Sequence, residues 1–258
     1  MTGQTALVTG ANRGVGRELV SELVRRGARR VYATGRSLAA LEPLVSDYPE
    51  KVVALHLDLQ DATSIVEAAS VATDVTLLIN NAATLSTGSA LLSDRATMVS
   101  MVMTNTFGTL DVIRAFTPVL ESNGGGVVVN VMSLQAFSGS NGWDGYSASK
   151  AALQSLTQSM RPALKLLGIR ISGAYPGGVD TDMIREFDTL KSSARGVAEG
   201  ILDGIDAGEE DIFPDGVSRF VAELWRRDPK QVERLFADPD VLVPMLQEAH
   251  GRGDIVLA

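Results

Sequence analysis

The 258-residue chain contains no cysteine. That excludes disulfides, thiol nucleophiles and thiolate metal sites. Histidine is nearly absent. His56 and His250 stand far apart, so a metal site built on clustered imidazoles is not expected, and no metal is predicted. Aromatic residues make up only 5%, and there is no run of Lys or Arg. The 31 acidic residues against 23 basic ones leave a formal charge of −8. Nucleic acid demands a basic surface, so it is excluded as a partner. No apolar stretch reaches the ~18 residues that span a bilayer, so a membrane partner is not expected either. Met1–Gln4 lacks a basic leader and runs straight into an apolar stretch, which predicts a cytoplasmic protein without a signal peptide.

What is present is 45% apolar residues and 25 glycines, enough for a sizeable core with close helix packing. Short apolar runs alternate with amphipathic stretches. Strands are predicted at Thr5–Val8, Val31–Thr34, Val52–Leu57, Thr76–Ile79, Gly126–Met132 and Ile169–Ala174. Helices are predicted between them, at Gly14–Arg26, Leu38–Asp47, Ala62–Ala72, Arg95–Leu120 and Tyr146–Leu167. This βαβ repetition implies an α/β fold: a doubly wound parallel sheet of Rossmann type with helices on both faces. A helix at Ser192–Asp206 and a last strand at Asp211–Phe213 follow an irregular Asp182–Thr189. The end of the chain reads as short helices broken at Pro214, Pro229, Pro239 and Pro244. One domain over residues 1–258 is expected, with a core at 1–216 and a helical extension at 217–258.

The first strand runs into Thr9-Gly10-Ala11-Asn12-Arg13-Gly14-Val15-Gly16. A glycine-rich turn between strand and helix lets backbone approach a pyrophosphate, and the helix N-terminus offers it free N–H groups. The same turn also serves simply to pack a helix on a sheet. It lacks the Gly-Lys-Ser/Thr of a nucleoside-triphosphate loop, so triphosphate hydrolysis is not expected. A second constellation is Ser133, Tyr146 and Lys150. Tyr146 and Lys150 are i and i+4, on one helix face, and Ser133 sits at the carboxyl end of a strand, where ligands bind in such sheets. With four Tyr, five Lys and 21 Ser in the chain, this spacing arises by chance with an expectation of only about 0.006. An ammonium beside a phenol favours phenolate and lowers its pKa below ~10, and with a second positive charge bound nearby it could approach neutrality, so the pair suits proton transfer.

Together these residues resemble the short-chain dehydrogenase/reductase superfamily, in its single-domain branch, up to about Gly216. The motifs stand in family order: Thr9–Gly16, Asp58-Leu59, Asn80-Asn81-Ala82-Ala83, Asn105, Ser133, Tyr146-Ser-Ala-Ser-Lys150 and Pro176-Gly177-Gly178-Val179-Asp180-Thr181. The resemblance implies an NAD(P)-dependent oxidoreductase acting on a ketone or secondary alcohol. Tyr146 would be the acid or base, and Lys150 would lower its pKa and bond the nicotinamide ribose. Ser133 would orient the substrate oxygen, and Asn105 would hold a water in the proton relay. Cofactor contacts are implied for Gly10, Asn12, Gly14, Val15, Gly16, Asp58, Leu59, Asn81, Ala82, Tyr146, Lys150, Pro176, Gly177, Val179 and Thr181. Ala83 replaces the family's glycine, adding a methyl near the nicotinamide. The resemblance also implies a homodimer or homotetramer built on the two long helices.

Cofactor choice is read from the second strand, which in such a fold ends beside the adenine ribose. An NAD site places a carboxylate there. Here Gly35 stands in that place, Arg36 follows it, and Arg13 lies in the glycine turn. Two guanidiniums suit a 2′-phosphate, which predicts NADP(H); the alternative leaves both facing solvent. Several further readings stay open. Phe137 and Trp143 either pack loops or line a pocket. The segment after Thr181 either closes apolar residues over a hydrophobic ketone or meets an anion with Arg185. His56 reads as a packed or capping strand residue, and Glu209-Glu210-Asp211 as a solvated turn. Met98, Met101 and Met103 read as core or interface filler. A dinucleotide-binding redox sensor without turnover is the alternative function. A sugar-nucleotide epimerase would usually need a larger substrate domain.

Overall fold

Alternation along the short strands decides the layering. In β1 (Thr5–Val8), Ala6 and Val8 enter one core cluster and Leu7 the other, because successive side chains point to opposite faces. The computed structural model describes all residues, 1–258. After β1 come α1 (Gly14–Arg25), β2 (Arg30–Gly35), α2 (Glu42–Asp47), β3 (Val52–His56), α3 (Ala62–Val71) and β4 (Leu77–Asn80). Next are α4 (Arg95–Val102), a π-helical segment (Met103–Gly108), α5 (Thr109–Ser122), β5 (Gly126–Val131), α6 (Asp144–Leu166) and β6 (Ile169–Ala174). The remainder forms β7 (Val179–Asp180), β8 (Ser192–Ser193), α7 (Ala194–Ala207), β9 (Asp211–Ile212), α8 (Gly216–Arg227), α9 (Pro229–Ala237) and α10 (Pro239–Gly251).

The main sheet has seven strands in the order β3-β2-β1-β4-β5-β6-β9, all pairs parallel. Leu19 and Leu23 of α1 and Val197 and Ile201 of α7 cover one face. Ile65 of α3 and Ile113 and Phe116 of α5 cover the other. This is the doubly wound parallel sheet that the alternating pattern predicts. The order reverses between β1 and β4, so the loops leaving their carboxyl ends diverge and open a crevice. No helix is long and apolar enough to cross a membrane.

Several elements differ from expectation for identifiable reasons. The predicted Arg95–Leu120 helix is two α-helices joined by the π segment. Asn105, in that segment, is fully buried and hydrogen-bonded to both Thr84 and Ser149. Such tertiary ties hold the wider turn, and residue periodicity carries no trace of them. The predicted Leu38–Asp47 helix begins as a 3₁₀ turn at Ala39–Leu41. Pro229 and Pro239 are first residues of helices, where a missing N–H costs nothing. Pro244, by contrast, lies inside α10 and does not break it; one lost hydrogen bond is outweighed by the burial of Leu246 and Ala249. His56 is exposed rather than packed, because β3 is the edge strand. Glu209, Glu210 and Asp211 are all exposed, as expected of a solvated segment, but Asp211 begins the last strand and pairs with Arg161. Met101 is buried, while Met103 is half exposed.

Candidate active site

The glycine turn after β1 is tied to the start of the loop after β4. The Thr9 hydroxyl accepts the backbone N–H groups of Asn81 and Ala82, each at 3.0 Å. The Asn81 side-chain amide donates back to the Thr9 and Gly10 carbonyls at 3.0 and 3.2 Å. Gly10 and Gly14 have φ of +66° and +54°, a left-handed backbone that glycine adopts without strain. A Cβ at Gly10 would stand 2.9 Å from the Ala82 Cα, and one at Gly14 would stand 3.1 Å from a Thr181 methyl. No side chain caps α1, and no carboxylate stands in its first turn. Its first N–H groups and positive dipole end are therefore open to an anion. The cradle fits a dinucleotide pyrophosphate on steric and electrostatic grounds.

A cavity of about 810 Å³ runs from this turn across the sheet's carboxyl edge. Of the residues predicted to form the site, all but two line it: Gly10, Asn12, Arg13, Gly14, Val15, Arg36, Asp58, Leu59, Asn81, Ala82, Ser133, Tyr146, Lys150, Pro176, Gly177, Val179 and Thr181. Gly16 lies behind it, where any side chain would collide with the Gly10 carbonyl; it lets α1 approach the turn. Asn105 is also behind the wall. Its Oδ1 accepts from the Thr84 N–H at 2.8 Å, and its Nδ2 donates to the Thr84 carbonyl at 2.9 Å and the Ser149 hydroxyl at 3.0 Å. Both amide protons are thus taken, so a water held by Asn105 would have to donate to one of its carbonyl oxygens. Ser149 in turn donates to the Tyr146 carbonyl at 2.7 Å, so Asn105 fastens the loop after β4 to the start of α6.

Tyr146 and Lys150 share one face of α6, and Ser133 follows β5 and caps the next short turn through its side chain. Tyr146 and Lys150 are 7% and 2% exposed. The Lys150 Nζ stands 5.6 Å from the Tyr146 ring centre and donates to the Val131 carbonyl at 2.9 Å. Burial pushes the phenol up to about 12, against the lowering predicted from the neighbouring ammonium; hydrogen bonding to Ser133 works downward but is the smaller effect. Burial pulls Lys150 down to about 8. The reason for the disagreement is tertiary: removal from water disfavours charge on either group, and sequence spacing does not report depth.

The open alternatives separate cleanly. Trp143 lines the cavity, with its ring 4.7 Å from Phe187 and 6.1 Å from Tyr146. Phe137 does not; it packs on Tyr175 at 4.7 Å and Trp225 at 5.5 Å. Arg36 lines the cavity in no ion pair, while Arg13 meets Asp182 at 3.3 Å. Arg185 pairs with the same Asp182 and stays out of the cavity. Two features escaped the sequence reading. Asp215, fully buried, caps α8 and accepts the Gly177 N–H at 2.9 Å, fixing the Pro176–Gly178 loop. Its Asp-x-x-Ser spacing before an amphipathic run was the available signal. Residues of α8 to α10, among them Val221, Leu242, Val243 and Leu246, also line the cavity.

A family model described as short chain dehydrogenase matches residues 4–191. The chain belongs to the short-chain dehydrogenase/reductase family, whose members named as dehydrogenases or oxidoreductases act between CH–OH and C=O groups. An uncharacterized oxidoreductase of Myxococcus xanthus is 34% identical over 71% of this chain and 75% of its own length. An NADP-dependent 3-hydroxy acid dehydrogenase of Schizosaccharomyces pombe is 29% identical over 88% of this chain and 89% of its own. A short chain dehydrogenase from Burkholderia cenocepacia, crystallised in complex with NADP, superposes with a TM-score of 0.86 at 33% identity, covering 92% of this chain and 99% of that one. The protein is an oxidoreductase that uses an NAD(P) cofactor on small molecules.

Proposed function

We propose that this enzyme is an NADP(H)-dependent carbonyl reductase with Tyr146 as its proton donor. The observation that carries the reading is the convergence of Ser133, Tyr146 and Lys150 on one cavity with an uncapped glycine-turn helix. The bound nicotinamide supplies the hydride. Ser133 holds the substrate oxygen beside the phenol. With a pKa of about 12, Tyr146 keeps its proton at neutral pH, and an alkoxide forming on the substrate is basic enough to take it. Lys150, mostly an ammonium below its value of about 8, steadies the phenolate left behind. Asn105 and Asp215 hold the loops that frame the site.

The preference for NADP(H) over NAD(H) rests on the end of β2. A Cβ at Gly35 would meet only the Leu41 side chain, at ordinary distances of 3.8 Å and beyond, and its φ is not positive. Neither packing nor backbone demands glycine there; what it contributes is the lack of a carboxylate. Arg36 stands unpaired next to it, and Arg13 is a second cation at the same cavity. Reduction is then the working direction. We further propose a homodimer or homotetramer through the long helices, since Val99, Met103 and Phe107 are 45%, 50% and 44% exposed along one stripe at i, i+4 and i+8. The test is NADPH consumption, followed by absorbance, with a panel of ketones and aldehydes, alongside NADH. Turnover with a higher kcat/KM for NADPH is expected. Tight NADPH binding with no carbonyl reduced by either cofactor would overturn the reading.

A further inference from the structure

We infer that the substrate is an uncharged carbonyl compound whose apolar chain lies along the wall formed by α8 to α10. The inference rests on the reading of the site as a carbonyl reductase and adds the class of compound. Leu134 directly follows Ser133 and packs in one apolar cluster with Val221 of α8, Phe236 of α9 and Leu246 of α10. These four, with Leu242 and Val243, line the same cavity as Tyr146. Trp143 and Phe187 pack against each other with ring planes tilted by 54° and line it as well.

The charges on the cavity argue the same way. Arg36 and Asp58 follow β2 and β3, at the far end from Ser133. Arg13 belongs to the glycine turn after β1, at the cofactor end, where it also meets Asp182 at 3.3 Å. Lys150 is buried and committed to the Val131 carbonyl. Arg185, the cation of the segment after Thr181, is turned onto Asp182 and out of the cavity. Asp188 is the remaining charged lining residue, and it repels an anion. The polar side chain next to Leu134 is also spoken for. Gln135 donates to the Ser140 hydroxyl at 2.9 Å and accepts from Ser147 at 2.8 Å, leaving little to bond a polyol. A carboxylate or sugar entering here would lose its hydration without replacement, whereas a methylene chain gains by burial.

The test is a homologous series, 2-butanone, 2-hexanone, 2-octanone and 2-decanone, with 3-oxohexanoate and a ketose as polar counterparts, all with saturating NADPH. The expected result is a kcat/KM that rises about two- to fourfold per added methylene until the wall is covered, with 3-oxohexanoate at least tenfold below 2-hexanone. Leu242→Ala, at a half-buried position, should lower the rate on 2-octanone several-fold more than that on 2-butanone. Quenching of Trp143 fluorescence in a Trp225→Phe background reports ligand binding without turnover, and its Kd should fall along the same series. Ketone reduction that is flat with chain length, or that favours the oxo acid or ketose, overturns this inference and leaves the reductase reading standing. No reduction of any member by NADPH-loaded enzyme overturns both.

Discussion

Replacing Gly35 with Asp should turn the enzyme from NADPH toward NADH. The fold accommodates the change: the added Cβ meets a Leu41 methyl at an ordinary 3.8 Å, and the backbone needs no left-handed conformation. Stability should change by no more than ~1 kcal/mol. The new carboxylate would face the 2′-phosphate of NADPH. Two unit charges ~4 Å apart at an effective dielectric of ~20 interact by ~4 kcal/mol, and solvent access reduces that to ~2 kcal/mol, a loss of roughly 30-fold in kcat/KM. Against NADH the carboxylate accepts from ribose hydroxyls, a charge-assisted hydrogen bond worth about 1.5–3 kcal/mol and thus about tenfold or more. The NADPH-to-NADH ratio should therefore fall by at least ~10²-fold. Asp182→Asn makes an opposite control. The Arg13–Asp182 pair is exposed, with side chains 62% and 45% accessible, so breaking it costs at most ~1 kcal/mol. Freeing Arg13 should leave NADPH use unchanged or improve it by up to about fivefold. Steady-state kcat/KM for both cofactors is the assay. A wild-type enzyme preferring NADH, or a Gly35→Asp variant with an unchanged ratio, would refute the arginine argument.

Other consequences follow from buried groups and exposed faces. Lys150 falls to about 8 in the fold from an unfolded value near 10.5, so the unfolded state binds more protons between these pH values and stability rises across that window, by about 3 kcal/mol; denaturant melts of Lys150→Met should lack the rise. The same titration makes reductase kcat fall above pH ~8, and in Lys150→Arg, which stays charged, that limb should vanish from the pH profile. Asp215→Ala removes both a helix cap and the anchor of Gly177; thermal melts should show a loss of about 2–4 kcal/mol, with a KM for NADPH raised more than kcat is lowered. Charging the exposed stripe with Met103→Glu and Phe107→Lys should shift the light-scattering mass to the monomer, and a wild type already monomeric at micromolar concentration would contradict the oligomer.

The parts legible in the sequence are those set by local spacing. Tyr146 and Lys150 lie on one face because four residues make about one helical turn, and the glycine turn follows its strand with no intervening residue to misplace it. Parallel strands buried on both faces announce themselves as short β-branched runs. What was hidden depends on depth and on distant partners. The direction of the Tyr146 shift is decided by how deeply the folded chain buries the phenol. That Asn105 also fastens Thr84 to Ser149 shows only once the loop after β4 and α6 are seen side by side. The C-terminal wall is a set of ordinary amphipathic helices, and nothing in their periodicity says that they fold back over the residue after Ser133.

Tyr146→Phe is the most direct test of the central claim. The ring and its packing are kept, and only the proton-bearing oxygen is lost. NADPH binding, measured by fluorescence titration, should stay within about threefold of wild type, because the phenol is not what holds the dinucleotide. Turnover of a ketone under single-turnover conditions should fall by at least ~10²-fold, the usual size of a general acid's contribution. A Tyr146→Phe enzyme that binds NADPH normally and reduces ketones at the wild-type rate would contradict the assignment of the proton to Tyr146.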